Sequence, residues 1–238
     1  MGEFLKYKQF EKTLILLCVR WYFRYPLSYR YVVEMMDERG ISLAHTTIMR
    51  WVHKAGPLLD HLVKRFRSCH GGSWRVDETY IKIKGTWMFL YRAIDKQGNT
   101  IDFYLSKTQR KAAAKRFLHK AIRSRKYDDE PLYTINTDQH PAYVGAIAEL
   151  KAEGKLHKDV QHRRVKYLNN RIEQDHRFIK KKMKISLSFQ SLKTAYATIK
   201  GMEAMNMIRK NQLFHIQKSP RLQMNFIHRQ FGLSGSYV

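Results

Sequence analysis

The chain has few cysteines, few acidic residues and no long hydrophobic run, and each shortage excludes a class of protein. Two cysteines, Cys18 and Cys69, are too few for a disulfide framework or a CxxC zinc pair. We interpret them as unpaired thiols, although Cys69 and His70 together could offer two metal ligands. The apolar run at residues 14–19 is too short to span a membrane and lacks a cleavage-site pattern. We therefore expect a soluble, intracellular protein that does not partner a membrane.

Acidic residues are outnumbered by basic ones. The 238 residues include 45 Lys+Arg and 20 Asp+Glu, so the formal net charge is +25. A hydrophobic fraction of 44% is enough for a packed core, which excludes a disordered basic tail. This charge excess predicts a polyanionic partner, most simply DNA or RNA.

The N-terminal part has the pattern of a helix-turn-helix. Residues 11–24 predict a first helix, and Ser28 is a suitable N-cap for a second one that ends at Gly40. A third helix is expected from about residue 44 to residue 55, before Gly56-Pro57. A short glycine turn between two helices is typical of DNA-binding domains, although a plain helical hairpin has the same pattern.

The third helix has one apolar face and one polar face. Ile48, Trp51 and Val52 are expected to face the core. The opposite face carries residue types that contact bases and phosphates, which makes it a candidate DNA-binding surface. The candidate DNA-binding residues on this helix are His45, Thr46, Thr47, Arg50 and Lys54.

The second half of the chain alternates strands and helices. Three strand-like segments come first and read as an antiparallel meander, with Gly85 at the first turn. The strands are expected at 74–84, 86–95, 99–106, 132–137 and 159–165, and the helices at 109–124, 141–150, 170–184 and 191–211. Three strands, helix, strand, helix, strand, helix is the element order of the ribonuclease-H-like fold.

Three carboxylates occupy matching places in this order. Asp77 lies in the first strand, Asp138 ends the fourth, and Glu173 lies in the first turn of the following helix, with 60 and 34 residues between them. Adjacent strands would bring the first two to one edge of the sheet, and the helix could add the third. Grouped carboxylates repel one another, and bound cations relieve that repulsion. Taken singly, Glu173 could be a helix-capping residue and Asp138 a turn residue.

The helix that carries Glu173 also carries a row of cations. Arg177, Lys180 and Lys184 follow Glu173 at helical spacing, while Ile172 and Ile179 can face the core. Such a row beside a metal site predicts a track for the DNA backbone. A solvated basic face is the alternative.

Three acidic motifs give the chain its resemblance to a known family. It resembles the bacterial DDE transposases, and most closely the insertion-sequence-six family, over about residues 10–212. The acidic motifs are residues 74–80 (WRVDETY), 136–138 (NTD) and 167–176 (YLNNRIEQDH), with further matches at 28–30, 47–52, 90–95 and 193–201.

The resemblance implies roles for particular residues. Asp77, Asp138 and Glu173 correspond to the catalytic, metal-binding triad, and Lys180 to the accessory basic residue. It implies two Mg²⁺ ions, with Mn²⁺ as a substitute, and a polynucleotidyl transferase that cuts and joins DNA at the terminal inverted repeats of its element. It also implies a homodimer or higher oligomer on double-stranded DNA, in the bacterial cytoplasm and associated with the nucleoid.

The expected domain organisation has four parts. A small all-α helix-turn-helix domain at 1–56 is followed by a basic connector at 57–73, a ribonuclease-H-like, integrase-type α/β catalytic domain at 74–212, and a tail at 213–238 of unknown role. Two other functions stay open, namely a non-catalytic DNA-binding regulator derived from a transposase and a structure-selective nuclease.

Overall fold

The computed structural model describes residues 9–68, 71–185, 189–214 and 218–233. The helices in these ranges are α1 (Lys12–Arg24), α2 (Tyr29–Asp37), α3 (His45–Phe66), α4 (Lys111–Arg123), α5 (Pro141–Ala152), α6 (Asn170–Asp175), α7 (Arg177–Ile185), α8 (Leu192–Arg209) and α9 (Pro220–Gln230). The strands are β1 (Ser73–Ile83), β2 (Thr86–Asp95), β3 (Thr100–Ser106), β4 (Thr134–Thr137) and β5 (Gln161–Arg164). In this part of the chain, no helix combines the length and apolarity needed to cross a membrane.

The chain divides into two compact units. One unit contains Met1–Ser68 together with Lys181–Val238, and the other contains Cys69–Lys180. These limits differ from the boundaries expected at residues 56 and 212, because helices from both ends of the chain pack into the first unit. The Cys69-His70 pair lies outside the described residues.

The second unit is built on a five-stranded sheet with the order β3-β2-β1-β4-β5. The first three strands pair antiparallel, whereas β4 pairs parallel to β1, and β5 parallel to β4. Lys84 and Gly85, both with positive φ, close the β1–β2 hairpin as a two-residue turn. This topology confirms the predicted ribonuclease-H-like sheet.

The core of this unit lies between the sheet and two helices. Alternate residues of β1 and β2, such as Trp74, Val76 and Tyr91, pack with Phe117 of α4 and Tyr143 of α5. All five of these side chains are buried. Asp77 lies on the opposite face of β1, away from this core layer.

The helix-capping residues predicted for the helical unit are observed in the structure. The Ser28 hydroxyl accepts a hydrogen bond from the Tyr31 N–H at 3.1 Å, as an N-cap should. Gly40, after α2, has a φ of 71°, which is the left-handed conformation that favours glycine. Ile48, Trp51 and Val52 of α3 are buried, so the predicted core face is confirmed.

The predicted end of the third helix at residue 55 is wrong, because α3 continues through Pro57 to Phe66. A proline inside a helix removes one hydrogen bond and usually bends or ends the helix. Here, packing against α8 opposes that tendency. A Cβ on Gly56 would lie 2.0 Å from the Ala197 carbonyl oxygen, so the two helices touch closely at this glycine. More than half of the predicted connector, residues 57–66, is therefore helical.

The segment after residue 212 is part of the helical unit. Leu213 forms an antiparallel bridge with Arg67, and the Phe214 N–H donates to the Phe66 carbonyl at 3.0 Å. Helix α9 follows, and its Gln223 donates to the Ile208 carbonyl at 3.2 Å. The sequence analysis did not predict α9.

We expect Gly201→Ala to destabilise the protein. A Cβ at this position in α8 would lie 2.1 Å from the buried Phe23 ring, which cannot move without disturbing the core. Overpacking of this kind costs roughly 1–3 kcal/mol of unfolding free energy. The measurement is chemical denaturation followed by circular dichroism.

Gly145→Ala in α5 is the matched control. Its added Cβ would meet only the flexible side chain of Lys111, at 2.7 Å, so we expect a neutral or slightly stabilising effect. Equal destabilisation by the two changes would contradict the close approach at Gly201.

Candidate active site

The short parallel pairing of β1 with β4 positions two of the candidate carboxylates. It covers three residue pairs, of which Arg75 opposite Asn136 is the last. Two residues further along each strand direction lie Asp77 and Asp138, which therefore occupy equivalent positions. Ligand sites in open α/β sheets lie beyond the carboxyl ends of parallel strands for the same geometric reason. The predicted convergence at one sheet edge thus follows from the register.

Asp138 begins the connection from β4 to α5. Its Oδ1 accepts a hydrogen bond from the His140 N–H at 3.0 Å, and the His140 side chain in turn caps α5 by accepting from the Ala142 N–H at 3.2 Å. The turn role considered for Asp138 is therefore real, and it leaves Oδ2 of the half-buried carboxylate for another ligand.

Asp77 carries the strongest electrostatic signature of the site. Burial, together with the neighbouring charges of Glu78, Asp138 and Glu173, raises the pKa of its carboxyl group to about 7. The same group therefore lies within electrostatic range of both other candidate acids. A carboxylate that is costly to ionise in isolation gains most from a bound cation.

Helix α6 carries Glu173, and three side chains of this segment attach it to the sheet. Asn169 Nδ2, just before α6, donates to the Val76 carbonyl at 3.2 Å, directly beside Asp77. The guanidinium of Arg171 donates to the carbonyls of Lys96 and Gln97 in the β2–β3 turn at 2.7 and 2.6 Å. These contacts fix the helix while the Glu173 side chain remains exposed.

The third attachment is a buried ion pair. Arg92 lies opposite Asp77 in the β1–β2 register, and its Nη2 is 2.7 Å from Oδ2 of Asp175 at the end of α6. The Arg92 guanidinium also lies 5.2 Å from the centre of the Phe178 ring. Removing one partner of such a buried pair typically costs about 3–5 kcal/mol, because the other charge is left uncompensated. Arg92 was not singled out from the sequence.

The predicted single helix from residue 170 to residue 184 is wrong, because it is interrupted at His176. The His176 N–H is shared between the carbonyls of Ile172 and Glu173, at 3.0 and 3.2 Å, which tightens the turn between α6 and α7. The His176 ring is buried, and burial lowers its pKa to about 2. Arg177, Lys180 and Lys184 are all exposed, as a DNA track requires.

Lys182 lies among these lysines but is not part of the exposed face. It is 2% exposed, and its Nζ donates to the Tyr22 carbonyl at 2.6 Å and also to the Leu27 carbonyl. Nζ also lies 3.2 Å from the centre of the Tyr22 ring. Burial lowers the pKa of Lys182 to about 6. We assign it a structural role in joining α7 to the loop between α1 and α2.

Glu78 is a fourth acid at the site that the sequence analysis did not select. It follows Asp77 in β1 and therefore points to the opposite face of the sheet. Its carboxylate accepts hydrogen bonds from the Tyr143 hydroxyl and from Gln109 Nε2. Burial and the charge of Asp138 raise its pKa. The alternation of side chains along β1 separates Glu78 from the Asp77 face.

The donor chemistry of the site suits a hard divalent cation, since Mg²⁺ and Mn²⁺ prefer carboxylate oxygens. In the described part of the chain, no three Asp, Glu, His or Cys side chains are grouped tightly enough to hold an ion as they stand. The raised pKa of Asp77 shows the charge stress that a cation would relieve. The residues therefore fit such an ion in chemistry.

The candidate DNA-binding residues of α3 lie at its N-terminal end. His45, Arg50 and Lys54 are exposed, while Thr46 and Thr47 are half-buried. An open cavity of about 660 Å³ adjoins this end of the helix, and its lining includes Arg30, His45 and Lys184. The structure thus places Lys184 and His45 on the lining of the same cavity, which spacing in the sequence could not predict.

Comparison with known proteins identifies the family. A family model described as a DDE domain matches residues 71–212. The chain is 41% identical over 215 residues to the transposase for insertion sequence-like element IS431mec of Staphylococcus aureus strain Mu50, covering 90% of this chain and 92% of that protein. Identity and coverage are the same for the Staphylococcus aureus transposase of IS257 in transposon Tn4003. The family match and the sheet thus define a DDE-type catalytic domain.

The chain belongs to the insertion-sequence-six family of DDE transposases, as the motif resemblance predicted. Membership implies a dependence on divalent metal ions and polynucleotidyl transferase activity.

Solved structures with a similar arrangement are more distant. The HTLV-2 integrase catalytic core domain in complex with magnesium is 20% identical with a TM-score of 0.41, covering 57% of this chain and 86% of that one. The Mos1 strand transfer complex is 13% identical with a TM-score of 0.39, covering 72% of this chain and 61% of that one.

We expect Asp77→Asn to stabilise the metal-free protein at pH 8. The folded-state pKa of about 7 exceeds the ordinary 3.8, so wild type loses stability relative to the neutral variant as the pH rises through that interval. Each pKa unit corresponds to about 1.4 kcal/mol, which gives a gain of roughly 1–4 kcal/mol. The measurement is urea denaturation in EDTA at pH 4 and pH 8.

The gain should disappear at pH 4, where Asp77 is protonated in the folded wild type. Asp128→Asn, a change at an exposed aspartate, serves as the control and should have no effect at either pH. Stabilisation that is equal at both values would show that the charge of Asp77 is not its cause.

Proposed function

We propose that this transposase binds the terminal inverted repeats of its element and catalyses metal-dependent strand cleavage and strand transfer at Asp77, Asp138 and Glu173. The observation that carries the proposal is the equivalent placement of Asp77 and Asp138, each two residues beyond the last residue pair of β1 and β4, with Glu173 on a helix attached beside them. The close relationship to transposases of insertion sequences supports the choice of DNA ends as substrate.

The three carboxylates are proposed to hold two Mg²⁺ ions, or Mn²⁺ as a substitute. When bound, such ions activate the attacking oxygen and neutralise charge on the leaving oxygen of an in-line phosphoryl displacement. Asp77 would lose its proton on binding, because a nearby cation stabilises the carboxylate. The hydrogen bond from the His140 N–H orients the Asp138 carboxylate.

The remaining residues position DNA. Lys180 is exposed on α7 and is proposed to contact a phosphate near the reacting strand, with Arg177 and Lys184 extending the same track. The attachment of α6 by Arg171 and Asp175 holds Glu173 in place while DNA binds. A fixed position of this kind matters because catalysis is sensitive to small displacements of the reacting groups.

Recognition of the element ends is assigned to the N-terminal end of α3. Arg50 is exposed and suited to bidentate contacts with guanine, and His45, Thr46, Thr47 and Lys54 surround it. The cationic cavity beside His45 supports the same assignment, because a phosphate of the DNA backbone would find Arg30 and Lys184 there.

The working assembly is proposed to be a homodimer or a higher oligomer, since two element ends must be held together for joining. The protein would act in the bacterial cytoplasm, associated with the nucleoid through its net charge of +25.

We expect Asp77→Asn, Asp138→Asn and Glu173→Gln each to abolish strand cleavage and joining while binding to the element ends is retained within about threefold. Neutral side chains keep the shape of the site but lose the charge that holds a divalent ion. The measurement is cleavage and joining of labelled ends in Mg²⁺, in Mn²⁺ and in EDTA, with binding measured in parallel.

Asp159→Asn, a change at an exposed acid in the connection between α5 and β5, is the control and should act as wild type. Joining that persists in any one triad variant would remove that residue from the mechanism. Specific end binding by a wild type that never cleaves would favour the regulator, and cleavage of branched DNA without end specificity would favour the nuclease.

We expect Arg50→Ala and Lys180→Ala to weaken DNA binding in different ways. Loss of an Arg50 base contact should lower binding to element ends by about 1–3 kcal/mol relative to random DNA. Loss of a Lys180 phosphate contact should lower the salt-dependence slope by about one on either DNA. The measurement is a salt titration of fluorescence anisotropy, with the exposed Lys158→Ala as control. An equal loss on both DNAs for Arg50→Ala would make Arg50 a phosphate contact.

A further inference from the structure

Strand β5 carries exposed cations at the edge of the sheet. It is the outermost strand next to β4, and Arg163 and Arg164 at its end are both exposed. The register pairs Arg164 with Thr137, the residue directly before Asp138. The two arginines therefore lie at the same edge of the sheet as the candidate acids.

Arg163 shares the face of the sheet that carries Asp77. Paired residues of parallel strands point to the same face, and the register aligns Arg75 with Asn136 and Asn136 with Arg163. Asp77 follows Arg75 by two residues and therefore points the same way. Ile135, next to Asn136, belongs to the core on the other face, as this alternation requires. Since neighbouring strands lie about 4.8 Å apart, Arg163 is one such spacing from the strand that leads to Asp138.

Arg164 contacts the connection that carries Asp138. Its Nη2 donates a hydrogen bond at 2.8 Å to the carbonyl of Gln139, the residue after Asp138. This bond uses one N–H of the guanidinium and leaves others for a ligand that approaches from solvent. A guanidinium fixed in this way suits the oxygens of a phosphate group.

No acid neutralises these two arginines. Lys155, in the connection between α5 and β5, lies 2.7 Å from a carboxylate oxygen of Glu153. Arg163 instead donates to the neutral amide oxygen of Gln161 at 2.9 Å. Within the described ranges of the chain, neither Arg163 nor Arg164 forms an ion pair with a carboxylate. Cations that stay exposed and unneutralised attract a polyanion.

The arginines and helix α6 lie on opposite sides of the candidate acids. Arg171 and Asp175 attach α6 to β2 and to the turn that follows β2. The sheet order puts β2 and β5 on opposite sides of the β1–β4 pair. Joining brings two DNA molecules, the element end and the target, to one phosphodiester, where the attacking and leaving oxygens lie in line on opposite sides of the phosphorus. A separate surface on the β5 side gives the second DNA molecule a place to bind.

We propose that Arg163 and Arg164 bind backbone phosphates of the target DNA, on the side of the acids away from α6. The proposal rests on the proposed function, which supplies the joining reaction. Phosphate contacts carry no sequence information, which suits a target, whereas recognition of the element ends needs contacts with bases. Charged side chains on an edge strand can also keep the sheets of two copies from pairing, and the experiment includes that outcome.

Target binding can be measured without catalysis. The protein is first saturated with a duplex that carries a precut element end, and labelled random duplex is then titrated in EDTA at several salt concentrations. We expect Arg163→Ala to bind the random duplex about fivefold more weakly and with a salt-dependence slope lower by about one, because one phosphate contact is lost. Arg163→Lys should recover part of this loss, since the charge is kept. Adding Arg164→Ala to Arg163→Ala should lower the slope by about two in total.

Joining of precut ends to a plasmid tests the same surface in the reaction. We expect Arg163→Ala to join about fivefold more slowly at limiting target and at the wild-type rate at saturating target, because only target binding is weakened. Binding and cleavage of the element ends should stay within about twofold of wild type, since these steps precede target capture. Lys155→Ala removes an exposed cation that Glu153 already neutralises, so this control should act as wild type in every assay.

Arg163 is the primary site for the test because its recorded hydrogen bond goes to Gln161, so that Arg163→Ala leaves the contact of Arg164 with Gln139 intact. Wild-type target binding by the double variant would overturn the proposal. An equal loss of element-end binding would also overturn it, and so would aggregation without a change in DNA binding, which would make the arginines guards of the sheet edge. Weaker capture of random duplex by the variants, with a wild type that joins no DNA, would support the surface and contradict the proposed function.

Discussion

The parallel pairing of β1 with β4 extends over only three residue pairs, yet it determines where the candidate acids meet. Parallel strands end at the same edge of a sheet, and the register puts Asp77 and Asp138 at equivalent positions just beyond the last pair. A shift of one residue would turn one of these side chains to the other face. The burial that fixes the register comes from Trp74, Val76 and Tyr91, which pack under α4 and α5.

The candidate site is electrostatically unfavourable without a cation, and neighbouring contacts hold its residues in position. The raised pKa of Asp77 reflects burial among other acids, which is unfavourable for folding without a cation. The buried Arg92–Asp175 pair and the hydrogen bond from Asn169 to Val76 hold α6 against β1 despite this unfavourable burial of Asp77. Stability contributed by these contacts allows the acids to stay close, and the same arrangement makes the site receptive to divalent ions.

Local patterns predicted most elements, because short-range signals such as the Ser28 cap, the Gly40 turn and the Lys84-Gly85 hairpin operate within a few residues. They failed where distant parts of the chain decide. Packing against α8 carries α3 through Pro57, and the surroundings of Lys182 turn a lysine from an expected basic face into a buried group. The sequence analysis missed α9 although Ser219-Pro220 is a local start signal for a helix. No local signal predicts the break at His176, the pairing of Arg92 with Asp175, or the hydrogen bonds of Glu78.

The sequence by itself determined the class of protein, since the cationic composition and the three acidic motifs specify the chemistry whatever the packing. It also determined the order of strands and helices, because hydrophobic periodicity and turn residues are local. Only the tertiary structure decided which side chains share a site. The register of β1 and β4, the attachment of α6, and the contact of Arg164 with the Gln139 carbonyl depend on contacts between residues far apart in the chain, which no spacing along it encodes.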